Sequence, residues 1–278
     1  TYYLTLEILK AEQNTKVMAY LYSNLGAIKL YLKDYPSARK EFLKVLNIYN
    51  KIDPDHLDLD IKQRLPVTLN NLGYVYQDLQ QADSAAYYYR LGILLTEQTP
   101  SDQLIRSKLL NNMASLYLDW SLPDSAFRPL NEALELQKKA SNMEGIAASY
   151  NLLSVYFKDK KQMREAITFS NEGLLIARQL GSIILIARLT ENIYHYYKDL
   201  GQSDSALKYH IIFKQFSDSL NREETLKELT RIELTSQFKE QQLIRQNAHE
   251  ERESRLYLFL GILGLLVFTL VLLFLLTQ

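Results

Sequence analysis

The stretch NLGYVYQDLQQADSAAYYY, residues 71–89, decides the fold. It opens with an asparagine, has a tyrosine five positions later at Tyr76, and has a small residue nine positions further on at Ala85. Along the chain the asparagine recurs at intervals of 47, 41, 39 and 41 residues, at Asn24, Asn71, Asn112, Asn151 and Asn192. The alanine recurs in step with it, at Ala38, Ala85, Ala126, Ala166 and Ala206. Because both marks stay in phase over five copies, the chain is predicted to be a repeat protein.

Each copy is predicted to contain two antiparallel helices, A and B, joined by a tight turn. The low content of 9 Gly and 6 Pro in 278 residues suits a mostly helical chain. The A helices are expected at residues 16–33, 62–80, 103–120, 144–159 and 183–200, and the B helices at 36–50, 82–97, 123–139, 162–179 and 203–218. Small residues on the A helices, such as Gly26 and Gly73, let the two helices approach closely. One copy cannot bury its apolar face alone, so the copies must stack.

The pattern from Leu72 to Tyr76, followed by Ala85 and an aromatic residue at Tyr89, resembles the tetratricopeptide repeat (TPR). The resemblance covers about residues 16–215, and the stride of about 40 residues is similar to the longer repeats of kinesin light chains. The departures from the family pattern are Lys29 in place of tyrosine, Ser170 and His210 in place of an aromatic residue, and one extra residue in the turn before Ala166. The resemblance implies an all-α fold, a right-handed α-α superhelix of about five TPR-like helix pairs.

These marks define the expected domains. Residues 1–14 are the helix of a truncated upstream repeat, and residues 15–218 are the solenoid, with repeats at about 15–50, 62–97, 103–139, 144–180 and 183–218. The insertion at residues 50–64 is expected to be a loop. Residues 219–255, rich in Glu, Lys, Arg and Gln, are predicted to form a charged linker helix. Its apolar residues hold no clean heptad, so a coiled-coil homodimer is an open alternative.

Residues 256–276 are predicted to be a transmembrane helix that continues the linker helix. The segment from Tyr257 to Leu276 has 20 residues without a charge, which is about 30 Å of helix and matches the hydrocarbon core of a bilayer. A buried helix is the alternative, but the chain offers no surface to cover a cylinder that is apolar all round. The orientation is not decided, because only Thr277 and Gln278 follow the span.

This order of segments resembles the membrane-bound regulators of Bacteroidetes, and the segment from Phe216 to Leu220 is similar to theirs. The resemblance implies a single-pass membrane protein whose periplasmic TPR region senses a ligand and relays signal across the membrane. It also implies an output domain beyond Gln278, a histidine kinase of a two-component system or a helix-turn-helix domain. The alternative is a tail-anchored scaffold with cytoplasmic repeats.

Composition argues against several functions for this chain. With 32 basic and 32 acidic residues there is no net field to bind nucleic acid. There is no cysteine, and the four histidines lack metal-ligand spacing. No phosphate-binding loop or nucleophile motif occurs. We therefore expect a binding module with no catalytic residue, metal or cofactor.

The asparagine row is the candidate site. In the TPR family its position faces the concave groove, and equivalent asparagines in long-repeat adaptors bind the main chain of an extended peptide. An amide side chain carries both a donor and an acceptor, so such a row can pair with successive backbone groups. The alternative is that each asparagine braces the solenoid. The predicted peptide-binding residues are Asn24, Asn71, Asn112, Asn151 and Asn192, with Asn70, Asn111, Tyr74, Lys108 and Arg188 beside them; Lys108 and Arg188 are suited to a carboxylate.

Overall fold

The computed structural model describes residues 15–51, 59–97 and 102–222, with scattered residues between 225 and 236. The chain divides after Glu223 into two units, and the first holds the repeats. Throughout the described ranges the chain is all-α, as predicted, and contains no strand. The predicted upstream helix at 1–14, most of the linker helix and the apolar segment from Tyr257 to Leu276 lie outside the described residues. Within the described part, none of the helices combines the length and the apolar character that a membrane crossing requires.

The described helices alternate between A and B types. They are α1 (Thr15–Tyr31), α2 (Tyr35–Tyr49), α3 (Leu59–Asp78), α4 (Ala82–Thr96), α5 (Gln103–Asp119), α6 (Pro123–Lys139), α7 (Met143–Asp159), α8 (Met163–Gln179), α9 (Ile183–Asp199) and α10 (203–222). Odd-numbered helices are the A helices and even-numbered helices the B helices. The expected loop at 50–64 is helical from Leu59 onward, because residues 59–65 contain no helix-breaking glycine or proline.

The turns between the helices share one backbone geometry. Gln80 is in the left-handed region with φ 59°, and the N–H of the next residue, Gln81, donates to the carbonyl of Tyr76 at 2.8 Å. This bond spans six residues and closes the helix end in a Schellman motif. The same left-handed residue ends the other helices that are followed by a described turn, at Lys33, Ser121, Ser141, Lys161, Gly181 and Gly201. Identical turns give every helix pair the same antiparallel arrangement.

Helices A and B of one repeat touch at a crossing where small and large side chains face each other. At α1–α2 a Cβ on Gly26 would lie only 2.7 Å from the ring of Phe42, and at α3–α4 a Cβ on Gly73 would overlap the ring of Tyr89. The equivalent residues of the third repeat, Ala114 and Leu130, share one buried cluster and are intermediate in size. The larger the side chain on helix B, the smaller the one it faces on helix A.

The last two repeats solve the same packing problem differently. In α9–α10 the large residue is on helix A, where the ring of Tyr194 lies 4.8 Å from the ring of His210. In α7–α8 both equivalent residues, Ser154 and Ser170, are small and fully buried. There Tyr196 from the next A helix brings its hydroxyl to 3.3 Å from Ser154 Oγ. His210 is therefore matched by a large residue on its facing helix, whereas Ser170 faces another small one.

The lysine that replaces the first tyrosine of the pattern belongs to a buried ion pair. Lys29 Nζ contacts Glu41 Oε1 at 2.8 Å and Lys44 Nζ contacts Oε2 at 2.7 Å, while Glu41 is only 3% exposed. Burial alone would raise the pKa of Glu41, but the two ammonium groups outweigh it and hold that pKa below its usual value. The first repeat thus joins α1 to α2 by charge at a position where the second, fourth and fifth repeats stack two aromatic rings.

Stacked aromatic rings show where the extra residue of the fourth repeat lies. Tyr76 stacks on Tyr88 with ring centroids 5.2 Å apart, and Tyr197 stacks on Tyr209 at 5.7 Å. The matching pair of the fourth repeat, at 5.1 Å, is Phe157 with Phe169. The sequence interpretation gave this place to Tyr156 and put the extra residue in the turn before Ala166. The structure instead keeps the turn unchanged and shifts the register by one residue inside α7.

The crossing predicts a stability test. Gly73→Ala should lower the free energy of unfolding by about 1–3 kcal/mol, because the new methyl group overlaps the Tyr89 ring. This loss should appear although alanine favours an exposed helix by about 1 kcal/mol over glycine. Adding Tyr89→Leu recreates the Ala–Leu pair of the third repeat. In urea unfolding the double variant should lose less stability than the sum of the losses of the two single variants. If the losses simply add, the side chains at the crossing do not compensate each other in size.

Candidate functional site

The A helices line two adjoining cavities, which we call the A-helix groove. The larger cavity, of about 470 Å³, is lined by residues of α3, α5, α7 and α9 with Gln137 from α6. The smaller cavity, of about 380 Å³, is lined by residues of the same four A helices. Both cavities share Asn112, Ser115, Asn151, Leu152 and Arg188. The two cavities therefore meet at the middle of the groove, between α5 and α7.

The predicted site residues divide between the groove and the rest of the surface. Asn70, Asn111, Asn112, Asn151, Lys108 and Arg188 line the larger cavity, and Tyr74 lines the smaller one with Asn112, Asn151 and Arg188. Asn24, Asn71 and Asn192 line neither of them. The groove thus contains only part of the predicted asparagine row, and peptide binding by these residues stays a prediction.

Helix register explains this division. Asn71, Asn112 and Asn192 each lie seven residues before the last residue of their helix, at Asp78, Asp119 and Asp199. Asn151 lies eight residues before Asp159. In that register Asn151 is equivalent to Asn70 and Asn111, which precede Asn71 and Asn112 by one position. The asparagines form two adjacent rows, which we call the seven-row and the eight-row.

Hydrogen bonds join the two rows between neighbouring A helices. In α5, Asn112 Nδ2 donates to Oδ1 of Asn70 in α3 at 2.9 Å. In α9, Asn192 Nδ2 donates to Oδ1 of Asn151 in α7 at 3.0 Å. The same bond cannot form between α7 and α5, because the seven-row position of α7 is Leu152. The bracing alternative therefore applies to the steps from α3 to α5 and from α7 to α9, and the step from α5 to α7, which lies between them in the groove, is left open.

The open step leaves unsatisfied groups on both sides. Asn112 uses an N–H of its amide, and its Oδ1 has no partner among the described residues. Asn151 uses its Oδ1, and its Nδ2 has no partner within the same ranges; the residue is 4% exposed, and this nitrogen is not one of its buried atoms. An acceptor and a donor thus face the groove where the two cavities meet. This pair is complementary to a peptide unit, which has one N–H and one carbonyl.

A buried polar network forms the floor beside this step. Asn111, unable to pair with Leu152, donates from Nδ2 to Ser149 Oγ at 2.9 Å. Ser149 donates in turn to Gln137 Oε1 at 2.6 Å, and Gln137 is 1% exposed. A network whose members hold one another rigidifies the surface around it. Asn111 is therefore a supporting residue of the groove and is less available to a ligand than Asn112.

Two acidic residues, and the side chains that donate hydrogen bonds to them, are part of the lining of the smaller cavity. Gln77 Nε2 donates to Asp119 Oδ2 at 2.9 Å, and Tyr89 donates its hydroxyl to Gln77 Oε1 at 3.0 Å. Burial, with the nearby charge of Asp78, raises the pKa of Tyr74 to about 12, so its phenol stays protonated and donates to Asp78. Burial also raises the pKa of Asp78, against the hydrogen bonds it accepts from tyrosines. Hydrogen bonds from neighbouring side chains thus fix the positions of both carboxylates.

Sequence reasoning missed several groove residues. Asp78 and Asp119 are the last residues of α3 and α5, where the helix dipole disfavours a negative charge. This unfavourable placement, which recurs at Asp159 and Asp199, is a signal that the sequence carries. Leu152 had no such signal, because its role depends on the one-residue register shift of α7.

Comparison with known proteins agrees with the helical-repeat architecture. No protein-family model matches the chain. The structure of BtubC from P. vanneervenii superposes with a TM-score of 0.63 at 18% identity, covering 79% of this chain and 89% of that one. A kinesin light chain from Podospora anserina with nearly identical TPR-like repeats gives a TM-score of 0.52 at 16% identity, covering 74% and 98%. The chain therefore has a TPR-like helical-repeat fold, and the prediction of an all-α repeat superhelix is confirmed.

Two further relatives carry regulatory names. A Rap protein complexed with competence and sporulation factor gives a TM-score of 0.64 at 14% identity, covering 77% of this chain and 57% of that one. The regulatory protein RapK of Bacillus subtilis is 23% identical over 155 residues, which are 56% of this chain. The chain spans 40% of that curated relative. These similarities show the fold, and the resemblance to Bacteroidetes regulators stays a prediction.

The bonded outer steps predict a structural role for Asn192. Asn192→Ala should lower the free energy of unfolding by about 1–3 kcal/mol, because it leaves the buried Oδ1 of Asn151 without a partner. Asn24→Ala, in the same row but exposed, is the matched control and should change stability by less than about 0.5 kcal/mol. Denaturant unfolding measures both variants. Equal losses of stability in the two variants would show that the hydrogen bond between the side chains of Asn192 and Asn151 contributes nothing.

Proposed function

We propose that the A-helix groove binds an extended segment of a peptide or partner protein through its main chain, at Asn112 and Asn151. The observation that carries this proposal is the open central step of the amide rows. The Oδ1 of Asn112 would accept a main-chain N–H and the Nδ2 of Asn151 would donate to a main-chain carbonyl. These contacts use only groups that every peptide unit has, so they do not depend on the ligand's side chains.

The cavities on either side of the step would take those side chains. Each of the two volumes, about 470 and 380 Å³, is in the range of pockets that hold small molecules. Most of the residues that line them are polar, which suits a segment that carries polar side chains. Support also comes from the Rap structure of the same fold, which holds competence and sporulation factor. The groove is thus proposed as a recognition surface and not as a catalytic one.

The chain is further proposed to act at a membrane. Its uncharged segment from Tyr257 to Leu276 would anchor it as a single-pass protein, and binding in the groove would be relayed along the linker helix. In this proposal the repeats lie on the extracytoplasmic side and form the sensory part of a signal-transduction regulator. The support is the length and purity of the apolar segment together with the order of the parts.

Replacement of the central amides tests the binding proposal. Peptides would be selected from a displayed random library against the full chain, and their affinities measured by calorimetry. Asn112→Ala with Asn151→Ala should weaken binding about tenfold, because each lost hydrogen bond to a neutral partner costs about 0.5–1.5 kcal/mol.

Two controls separate binding from bracing. Asn24→Ala with Asn71→Ala removes two amides that line neither cavity and should leave affinity unchanged. Asn192→Ala removes the brace of Asn151 but not its donor, so it should bind nearly as well as the native chain. A failure to select any peptide, or equal weakening by all three variants, would contradict the proposal.

Membrane anchoring has its own test. Leu265→Arg with Leu266→Arg places two charges at the middle of the segment and should release the full chain from carbonate-washed membranes, since each arginine costs about 3 kcal/mol on insertion. The matched control, Leu226→Arg with Leu229→Arg, makes the same change at two exposed leucines outside that segment and should stay in the membrane pellet. Retention of both variants, or release of both, would contradict a span at Tyr257 to Leu276.

A further inference from the structure

The two cavities of the A-helix groove carry opposite charge. The charged residues that line the larger cavity are Lys108, Arg188 and Glu144, so cations exceed anions by one. Those that line the smaller cavity are Asp78, Asp119 and Arg188, so anions exceed cations by one. Arg188 belongs to both and lies at the shared boundary; apart from it the larger cavity has one charge of each sign, Lys108 and Glu144, and the smaller has two carboxylates. The whole chain has no net charge, so this separation is local to the groove.

The negative side is built in two ways. Gln77 holds Asp119, and Tyr89 holds Gln77 in turn, so the position of this carboxylate depends on a residue of the B helix α4. Tyr74 holds Asp78 in the same wall. Both carboxylates lie at the C-terminal ends of their helices, where the macrodipole opposes them. Both carboxylates are thus kept, by hydrogen bonds, in a place that the helix ends disfavour, and both line the cavity where a cation could reach them.

Asn151 supplies a free donor at the same place. It lines the same cavity as the two carboxylates, and its Nδ2 is open to solvent and has no partner in the described ranges. A carbonyl from a molecule seated between the cavities could accept from this nitrogen.

We propose that the charge separation makes the groove selective for the chain direction of the bound segment. In the preferred direction a basic side chain of the segment lies in the smaller cavity and an acidic side chain in the larger one. This inference rests on the proposed function, since the main-chain contacts at Asn112 and Asn151 hold the segment across both cavities. Amide side chains alone read a peptide without regard to its sequence. The charged residues of the two cavities distinguish the order of the ligand's side chains, which the amides do not.

Repulsion contributes more to this selectivity than attraction does. A segment with its charges in the opposite order would bring its basic side chain toward Lys108 and its acidic side chain toward Asp78 and Asp119. Like charges at an interface discriminate against a wrong partner more strongly than matched charges favour the right one. The groove should therefore distinguish two peptides of identical composition and opposite sequence order.

The experiment uses three hexapeptide libraries with acetylated N-termini and amidated C-termini. The first has lysine at the first position and glutamate at the last, the second has them exchanged, and the third has glutamine at both; the four inner positions carry the same mixture in all. The full chain is immobilised in detergent and captured peptides are counted by mass spectrometry. One charged library should exceed the other by about fivefold, as expected for two partly exposed ion pairs.

A charge-exchange variant identifies the residues responsible. Lys108→Glu with Asp119→Lys changes two exposed positions and reverses the excess charge of each cavity, while the total charge of the chain stays the same. The preference should then switch to the other charged library. A variant that keeps the native preference, or native protein that captures both charged libraries equally, would overturn the inference.

Other outcomes separate this inference from the proposed function. Equal capture of all three libraries, lost in Asn112→Ala with Asn151→Ala, would leave main-chain binding intact and remove only the direction. Capture of none would overturn both. If unblocked termini restore a preference that the blocked libraries lack, the cavities bind terminal ammonium and carboxylate groups, and the assignment to side chains is wrong.

Discussion

The close crossing of helices A and B within each repeat is the contact on which the rest of the structure depends. Two helices can pack at that distance only if the facing side chains fit each other without overlap. The first three repeats do this with glycine against phenylalanine, glycine against tyrosine and alanine against leucine, and the fifth sets Tyr194 beside His210. The fourth repeat has two serines at this place, and the hydroxyl of Tyr196 from the next A helix reaches Ser154 there. Repeats of different sequence thereby keep one geometry, and the A helices line up to form a groove.

The sequence sufficed to predict the fold because the marks of that crossing are local. Asparagine, tyrosine and alanine recur at fixed distances inside one helix pair, so their phase shows both the helices and the turn between them. The helix ends differ from expectation chiefly at α3, which begins within the insertion that was expected to be a loop. That difference has a simple cause, since helix formers can extend a helix into an insertion without leaving a repeat mark.

The site was harder to predict, because it depends on register and not on residue type. Counting from the helix end moves Asn151 into the row of Asn70 and puts Leu152 where an asparagine was expected. From the sequence alone the one-residue shift fits equally well in the turn, and only the stacking of Phe157 on Phe169 places it in the helix. The shift interrupts the amide pairing at one step and leaves two polar groups facing the groove. A prediction from spacing found the right residue type and could not find the interruption.

The left-handed turn residues carry a consequence for the durability of the array. Five of the seven are not glycine, at Lys33, Gln80, Ser121, Ser141 and Lys161. A side chain in that conformation costs about 1–2 kcal/mol, so the strain recurs from one turn to the next along the solenoid. The array thus holds a reserve of stability at its turns from Lys33 to Lys161, and a change to glycine at any one of them would release part of it. The turns at Gly181 and Gly201 already lack this strain, so the reserve lies toward the N-terminal end of the array.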